Sequence, residues 1–344
     1  MSLKVIKRFN TMNAGGNVIP KFRDTFQIAQ KDLLRWFPGH MGKGLRKMQQ
    51  SLKSVDCVIE VHDARVPISG HYADFSKTLT GLKPHIFVLN KMDLTDMRLK
   101  DSVIATLEEK GMSNILFTNF KKERCKSTKE LLPLAQTLIK QSNRHNRAQE
   151  SSFAIMIIGI PNVGKSSLIN RLRNNNLRKP KAAQEGGIAG ITRAVSTRIK
   201  VFENPDIFVL DTPGILTPKV IDVDAGLKLA LVGCMVDHLV GPEVLADYLL
   251  FWFNKNKRFE YVQEIGLPEP CDDINYLLTF IAAKLNKTEK MKNYDGRIIM
   301  KPNLRFAAEQ FVYAFRKGEF GCYCLDEDLL QKPIKQFSKG KDFV

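Results

Sequence analysis

The chain has 344 residues, 44% of them hydrophobic, enough to bury a sizeable core and long enough for two domains or for one domain with a large appendage. Lys and Arg number 53 against 36 Asp and Glu, and the net charge of +17 points to a polyanionic partner, RNA or an anionic membrane surface. No window approaches the roughly 18 uninterrupted apolar residues of a spanning helix, so a soluble or peripheral chain is expected. Six cysteines without a CxxC pair give no sign of a disulfide framework or a zinc site and fit a reducing compartment.

The first 23 residues hold Lys4, Lys7, Arg8, Lys21 and Arg23 and no acid before Asp24. That is the composition of an organelle transit segment, with a basic RNA-touching arm as the other reading, and residues 1–30 are taken as a leader. VDCVIEVHDAR (55–65) and IFVLNKMD (86–93) are apolar runs that end in polar residues, as buried strands running into loops do. Residues 96–111 have helical spacing and stop at Gly111, ILFTNF (115–120) is a third strand, and 127–141 is a helix with Ser127 as its cap. NRHNRAQESS (143–152) is polar enough for a linker.

A second set of strands follows. FAIMIIG (153–159) enters a glycine-bearing loop, SSLINRLR (166–173) is the helix after it, and VSTRIKVF (195–202) and DIFVLDTPG (206–214) are a pair of strands. Strands alternating with helices predict an α/β fold with a doubly wound, mostly parallel sheet. Beyond about residue 225 the apolar spacing is helical with no strand between, which predicts a small all-helical domain rich in Lys284, Lys287, Lys290, Lys292, Arg297, Lys301, Arg305, Arg316 and Lys317. The expected division is 31–228 for the α/β domain, 229–325 for the helical one and 326–344 for a polar tail.

GIPNVGKSS matches GxxxxGK[ST] between a strand and a helix, the context that makes the motif a phosphate cradle. Backbone N–H groups of Asn162, Val163, Gly164, Lys165, Ser166 and Ser167 are placed to wrap phosphates; Lys165 offsets their charge and Ser166 can hold Mg²⁺. Asp211 of DTPG ends a strand where such sheets bind ligands and can hold Mg²⁺ through water, with the Gly214 N–H meeting a γ-phosphate. GGIAGITR between them has the texture of a mobile switch, and Thr192 supplies a second hydroxyl to the metal.

Asn90, Lys91, Met92 and Asp93 also leave a strand on the ligand edge. Asp93 can accept from guanine N1–H and N2–H₂, a donor pair that adenine lacks; the Lys91 stem can cover the purine and Asn90 can tie this loop to the phosphate loop. Thr118 and Asn119 form the expected base-backing loop. The order along the chain is therefore guanine reader, base-backing loop, phosphate loop, switch, DTPG, a circular permutation in which the linker at 143–152 joins the natural ends. Asp63 and Arg65 of VHDARVP end the first strand near the same edge, as a functional loop or as an internal salt bridge.

WFPGHMGKG (36–44), VHDARVP (61–67), NKMD, GIPNVGKSS, GITR and DTPGI together resemble the circularly permuted GTPases of ribosome assembly, over roughly residues 36–320. The resemblance implies a GTPase that binds the large ribosomal subunit, with a C-terminal domain on rRNA and a support role in mitochondrial translation. It also implies a place on the matrix side of the mitochondrial inner membrane, with a cytosolic site as the alternative, and a chain monomeric away from the ribosome. Members carry an apolar residue after DTPG, here Ile215, so hydrolysis needs another group; His40 of WFPGHM is the implied catalytic residue, with rRNA contact as its other reading. Asn162 is the implied K⁺ ligand. A GTP-gated RNA scaffold with incidental hydrolysis is the second functional reading.

Overall fold

The apolar runs form one six-stranded sheet, of β1 (Cys57–Asp63), β2 (His85–Asn90), β3 (Ile115–Phe117), β4 (Phe153–Ile158), β5 (Thr197–Phe202) and β6 (Ile207–Asp211). This computed structural model describes residues 22–27, 52–71, 83–144, 147–178, 197–211, 223–235, 240–292 and 294–330. β1, β2 and β4 are buried along their whole length, as strands covered on both faces are. The order is β3-β2-β1-β4-β6-β5, parallel except for β5, which runs against β6 at the edge. α1 (Lys100–Glu109), α2 (Lys126–Gln141) and α3 (Lys165–Leu177) belong to this half. α2 opens at Lys126 behind Cys125, whose backbone is already extended, so Ser127 lies inside the first turn and is not the cap.

From β1 the chain steps outward through β2 to β3, and from β4 it crosses the other way to the edge at β5 and returns to β6 beside β4. The direction reverses between β1 and β4, the place where open sheets of this kind bind ligands. Counted from β4 and read from the β5 edge, the strand order becomes 2-3-1-4-5-6, a single sheet whose chain ends have been moved. The joining segment is fastened down: Arg144 and Arg147 reach the buried Asp56 at 3.2 and 3.1 Å, and Arg144 donates to the Ser152 carbonyl at 2.8 Å. Asp56 also accepts from the Ala154 N–H at 2.8 Å, which locks the linker to the start of β4.

The C-terminal half holds α4 (Val223–Leu231), α5 (Pro242–Lys255), α6 (Glu260–Ile265), α7 (Ile274–Lys284) and α8 (Leu304–Lys317). α5 is its axis, with Leu245, Leu249, Leu250 and Phe253 buried and the Phe253 ring surrounded by Tyr261, Phe311, Phe315, Phe320 and Tyr323. Asp273 caps α7 and Asn303 caps α8 through their carboxylate and amide oxygens. The half is not all-helical. Between α7 and α8 an antiparallel hairpin, β7 (Thr288–Lys292) and β8 (Ile298–Pro302), occupies a stretch where no strand was expected.

Two expected boundaries fall within packed structure. Residue 228 lies inside α4, and Asp326, placed in the polar tail, is fully buried. Arg23, counted in the leader, bonds to Asp247 at 2.7 Å and Asp272 at 3.1 Å, and Phe26 packs on Tyr248 and Phe251 of α5. Among the described residues no helix is long and apolar enough to cross a membrane, and no cluster of His, Cys, Asp or Glu has metal-holding geometry.

Candidate nucleotide site

The loop from β4 to α3 needs glycine at two positions. Gly159 has φ +147°, and a Cβ there lies 2.2 Å from the Val61 carbonyl oxygen of the neighbouring strand. Gly164 has φ +109°, and a Cβ there lies 2.4 Å from the Asn90 amide nitrogen and 3.3 Å from the Phe120 ring. Asn162 adopts the left-handed conformation at φ 61°, turning the loop back toward the first turn of α3. Such a concave run of N–H groups at a helix start suits an anion. Lys165 is buried and donates to the Ile160 carbonyl at 2.8 Å, so its ammonium lies across the loop; Ser166 and Ser167 follow it in the helix, and Val163 is buried beneath.

Asn90 joins this loop to the NKMD loop. Its Nδ2 donates to the Val163 carbonyl at 2.7 Å and its Oδ1 accepts from the Phe120 N–H at 3.2 Å, so one buried amide bridges three loops. The fully buried Thr118 takes the Met92 N–H on its carbonyl at 3.1 Å and gives its own N–H to Leu89 at 2.8 Å. Asn119 closes its own turn by accepting from the N–H groups of Lys121 and Lys122. Lys91 is left-handed at φ 60°, and its Nζ rests 2.8 Å from Asp63. Asp93 stands exposed in the short turn Met92–Leu94.

Asp63 and Arg65 form the internal salt bridge, and it sits on this edge. Arg65 grips the fully buried Asp63 through Nε at 2.9 Å and Nη2 at 2.8 Å, while Asp63 holds Lys91. Arg65 Nη2 also donates to the Val232 carbonyl at 3.2 Å. The end of α4 is thus held from three directions: Asn162 Nδ2 donates to the Gly233 carbonyl at 2.8 Å, and Arg316 of α8 donates to the Leu231 and Ala230 carbonyls at 2.8 and 2.7 Å. Cations at a helix C-terminus offset its unpaired carbonyls, so Arg316 belongs to this joint rather than to an open basic face.

A strap after α8 reaches the NKMD loop. Cys322 Sγ donates to the Asp93 carbonyl at 3.1 Å, the Tyr323 N–H to the Leu94 carbonyl at 3.2 Å, and the Leu325 N–H to Arg65 at 2.7 Å. Asp326 accepts from the N–H groups of Ile68 and Ser69, both at 2.8 Å, and faces the ammonium of Lys228. None of Gly233, Cys322, Tyr323 or Asp326 stands out in the sequence, because their partners are distant along the chain, 71 residues for Asn162–Gly233 and 229 for Cys322–Asp93.

Asp211 is the last residue of β6, opposite Ile157 of β4, which brings its backbone to the phosphate-loop edge. Gly214, Thr192 and His40 lie outside the described residues. His62 and His85 are structural: both are buried and bond through Nε2 to Glu60, at 2.7 and 3.0 Å.

The model of a family described as 50S ribosome-binding GTPase matches residues 154–264. Mitochondrial GTPase 1 of Aedes aegypti is 51% identical over 89% of this chain and 98% of its own. The chain belongs to the mitochondrial ribosome-associated GTPase 1 family. The relative of that name from Mus musculus is 50% identical over 92% of this chain and 97% of its own. Among solved structures, GNP-bound YlqF from T. maritima is similar with a TM-score of 0.49 and 22% identity, over 81% of this chain and 95% of that one. The protein is a P-loop GTPase that binds and hydrolyses GTP, and its permuted order is carried by its own strands, with the NKMD segment after β2 ahead of the GIPNVGKSS loop after β4.

Proposed function

We propose that this GTPase is an assembly factor for the mitochondrial large ribosomal subunit, coupling its nucleotide state to rRNA binding and so supporting mitochondrial translation. The observation that carries this reading is the joint between the halves. Asn162 in the phosphate loop bonds to Gly233, and the strap bonds to Asp93 and Leu94. A change in either loop on GTP binding therefore bears directly on the C-terminal half. The net charge of +17 supports RNA as the partner of that half, and the names of the relatives support ribosome and mitochondrion. On this reading the protein is a monomer away from the ribosome and lies on the matrix side, in peripheral contact with the inner membrane.

The GTP-binding set proposed is Asn90, Lys91, Met92, Asp93, Thr118, Asn119, the loop from Asn162 to Ser167 and Gly214. Ser166 in the first turn of α3 and Asp211 at the end of the adjacent β6 are oxygen donors of the hard type that Mg²⁺ takes, and Thr192 is proposed to complete them. When bound, the ion supplies charge stabilisation at the transferring phosphate. Asn162 is the proposed K⁺ ligand. Ile215 cannot orient water, so His40 is proposed to act on the attacking water.

Pelleting with purified mitochondrial large subunits tests the coupling. Retention with a non-hydrolysable GTP analogue should exceed that with GDP by about ten-fold, the size of a typical allosteric coupling. Equal retention in both states contradicts it.

A further inference from the structure

The β7–β8 hairpin has solvent on both faces. All five residues of β7 are exposed, and in β8 only Ile299 and Pro302 are half-covered. Its apolar side chains stand in water: Met291 is 47% exposed, Ile298 63%, Met300 49%, and Tyr294 at the tip is fully open. A two-stranded ribbon without a packed face is marginal by itself. This one is anchored at its base, where the Asn303 N–H donates to Lys287 and the Lys287 ammonium lies 5.3 Å from the Phe306 ring. Gly296 at φ +74° allows the tip to turn.

The register sorts the side chains. One face pairs Lys290 with Met300 and Lys292 with Ile298, so two ammonium groups flank an apolar strip; the other pairs Met291 with Ile299 and Glu289 with Lys301. Residues 287–302 carry five basic side chains, Lys287, Lys290, Lys292, Arg297 and Lys301, against Glu289 and Asp295. Lysines on both strands and Pro302 at the base oppose pairing with a strand of another protein. Cations along a ribbon with an open aromatic ring at its tip match a strand of phosphates with an unstacked base.

We propose that the hairpin is an RNA-docking finger that takes an unpaired loop or bulge, with Tyr294 stacking on a base and Lys290, Lys292, Arg297 and Lys301 meeting phosphates. This rests on the rRNA reading of the proposed function and assigns it a place. The test uses the full chain and fluorescence anisotropy with a labelled stem–loop RNA whose unpaired loop has about ten nucleotides, and with the stem alone as a duplex. Tyr294→Ala should weaken stem–loop binding about ten-fold and leave duplex binding unchanged. The double variant Lys290→Gln, Lys292→Gln should flatten the salt dependence by about one unit of slope per lysine. Both should bind GTP as the parent does, because the substituted side chains are exposed and remote in sequence from every loop of the nucleotide site. Variants that bind the stem–loop as the parent does at every salt concentration overturn the finger while the rRNA reading stands. A parent chain that binds neither RNA overturns both readings.

Discussion

Asp93→Asn should lower GTP affinity by about 10⁴-fold and open the site to xanthosine triphosphate. Asp93 stands exposed in the turn Met92–Leu94, which the Lys91–Asp63 bond and the Met92–Thr118 backbone bond hold in place. On the proposed site assignment its carboxylate offers two acceptors to the guanine N1–H and N2–H₂. An amide presents one acceptor and one donor, which sets N–H against N–H for guanine but matches the N1–H and carbonyl of xanthine. Competition against a fluorescent guanine nucleotide reads both changes. A variant that keeps its GTP affinity removes Asp93 from base recognition.

Asp63→Ala should destabilise the fold by about 3–5 kcal/mol, because it strands the buried Arg65 guanidinium without its partner. It should also weaken GTP binding by freeing Lys91. Burial pushes the Asp63 carboxyl up, but the charges of Arg65 and Lys91 outweigh it and hold it well below the usual carboxylate range. With the folded pKa depressed, this stabilisation is complete above the unfolded value of about 4 and is lost as the pH falls below it. Urea unfolding across that range should therefore show a parent that loses stability toward acid more steeply than the variant. A cost under about 1 kcal/mol, typical of exposed pairs, contradicts the buried Asp63–Arg65 pair.

The two carboxylates differ in how plainly the sequence announces them. Asp93 stands out as a candidate because NKMD follows an apolar strand, and the same logic marks Lys165 and Ser166 as candidates and gave the permuted sheet that the structure shows: period, strand end and glycine are local signals. Asp63 was legible as a charge at a strand end, but its partner Lys91 belongs to β2's loop, and only the register Asp63↔Asn90 brings them together. The same holds for the joint between the halves. Asn162 was singled out for a cation, and its amide turned out to bond with the end of α4.

The hairpin was missed for a different reason. TEKMK has a single apolar residue, Met291, so it carries no apolar period by which a strand could be recognised. The turn signal was present, an Asp-Gly pair at 295–296 between two such runs followed by IIM, and it is the feature that favours a hairpin. Likewise the linker at 143–152 was polar as expected, yet its arginines answer a buried Asp56 that no local pattern connects to them.

GTP turnover measured with and without purified mitochondrial large subunits bears most directly on the assignment of a ribosome-coupled GTPase. Alone the protein should turn over on the order of 10⁻⁴ to 10⁻² s⁻¹, as unstimulated GTPases do, and saturating large subunits should raise this by at least about ten-fold. Equal rates in the two conditions would contradict it.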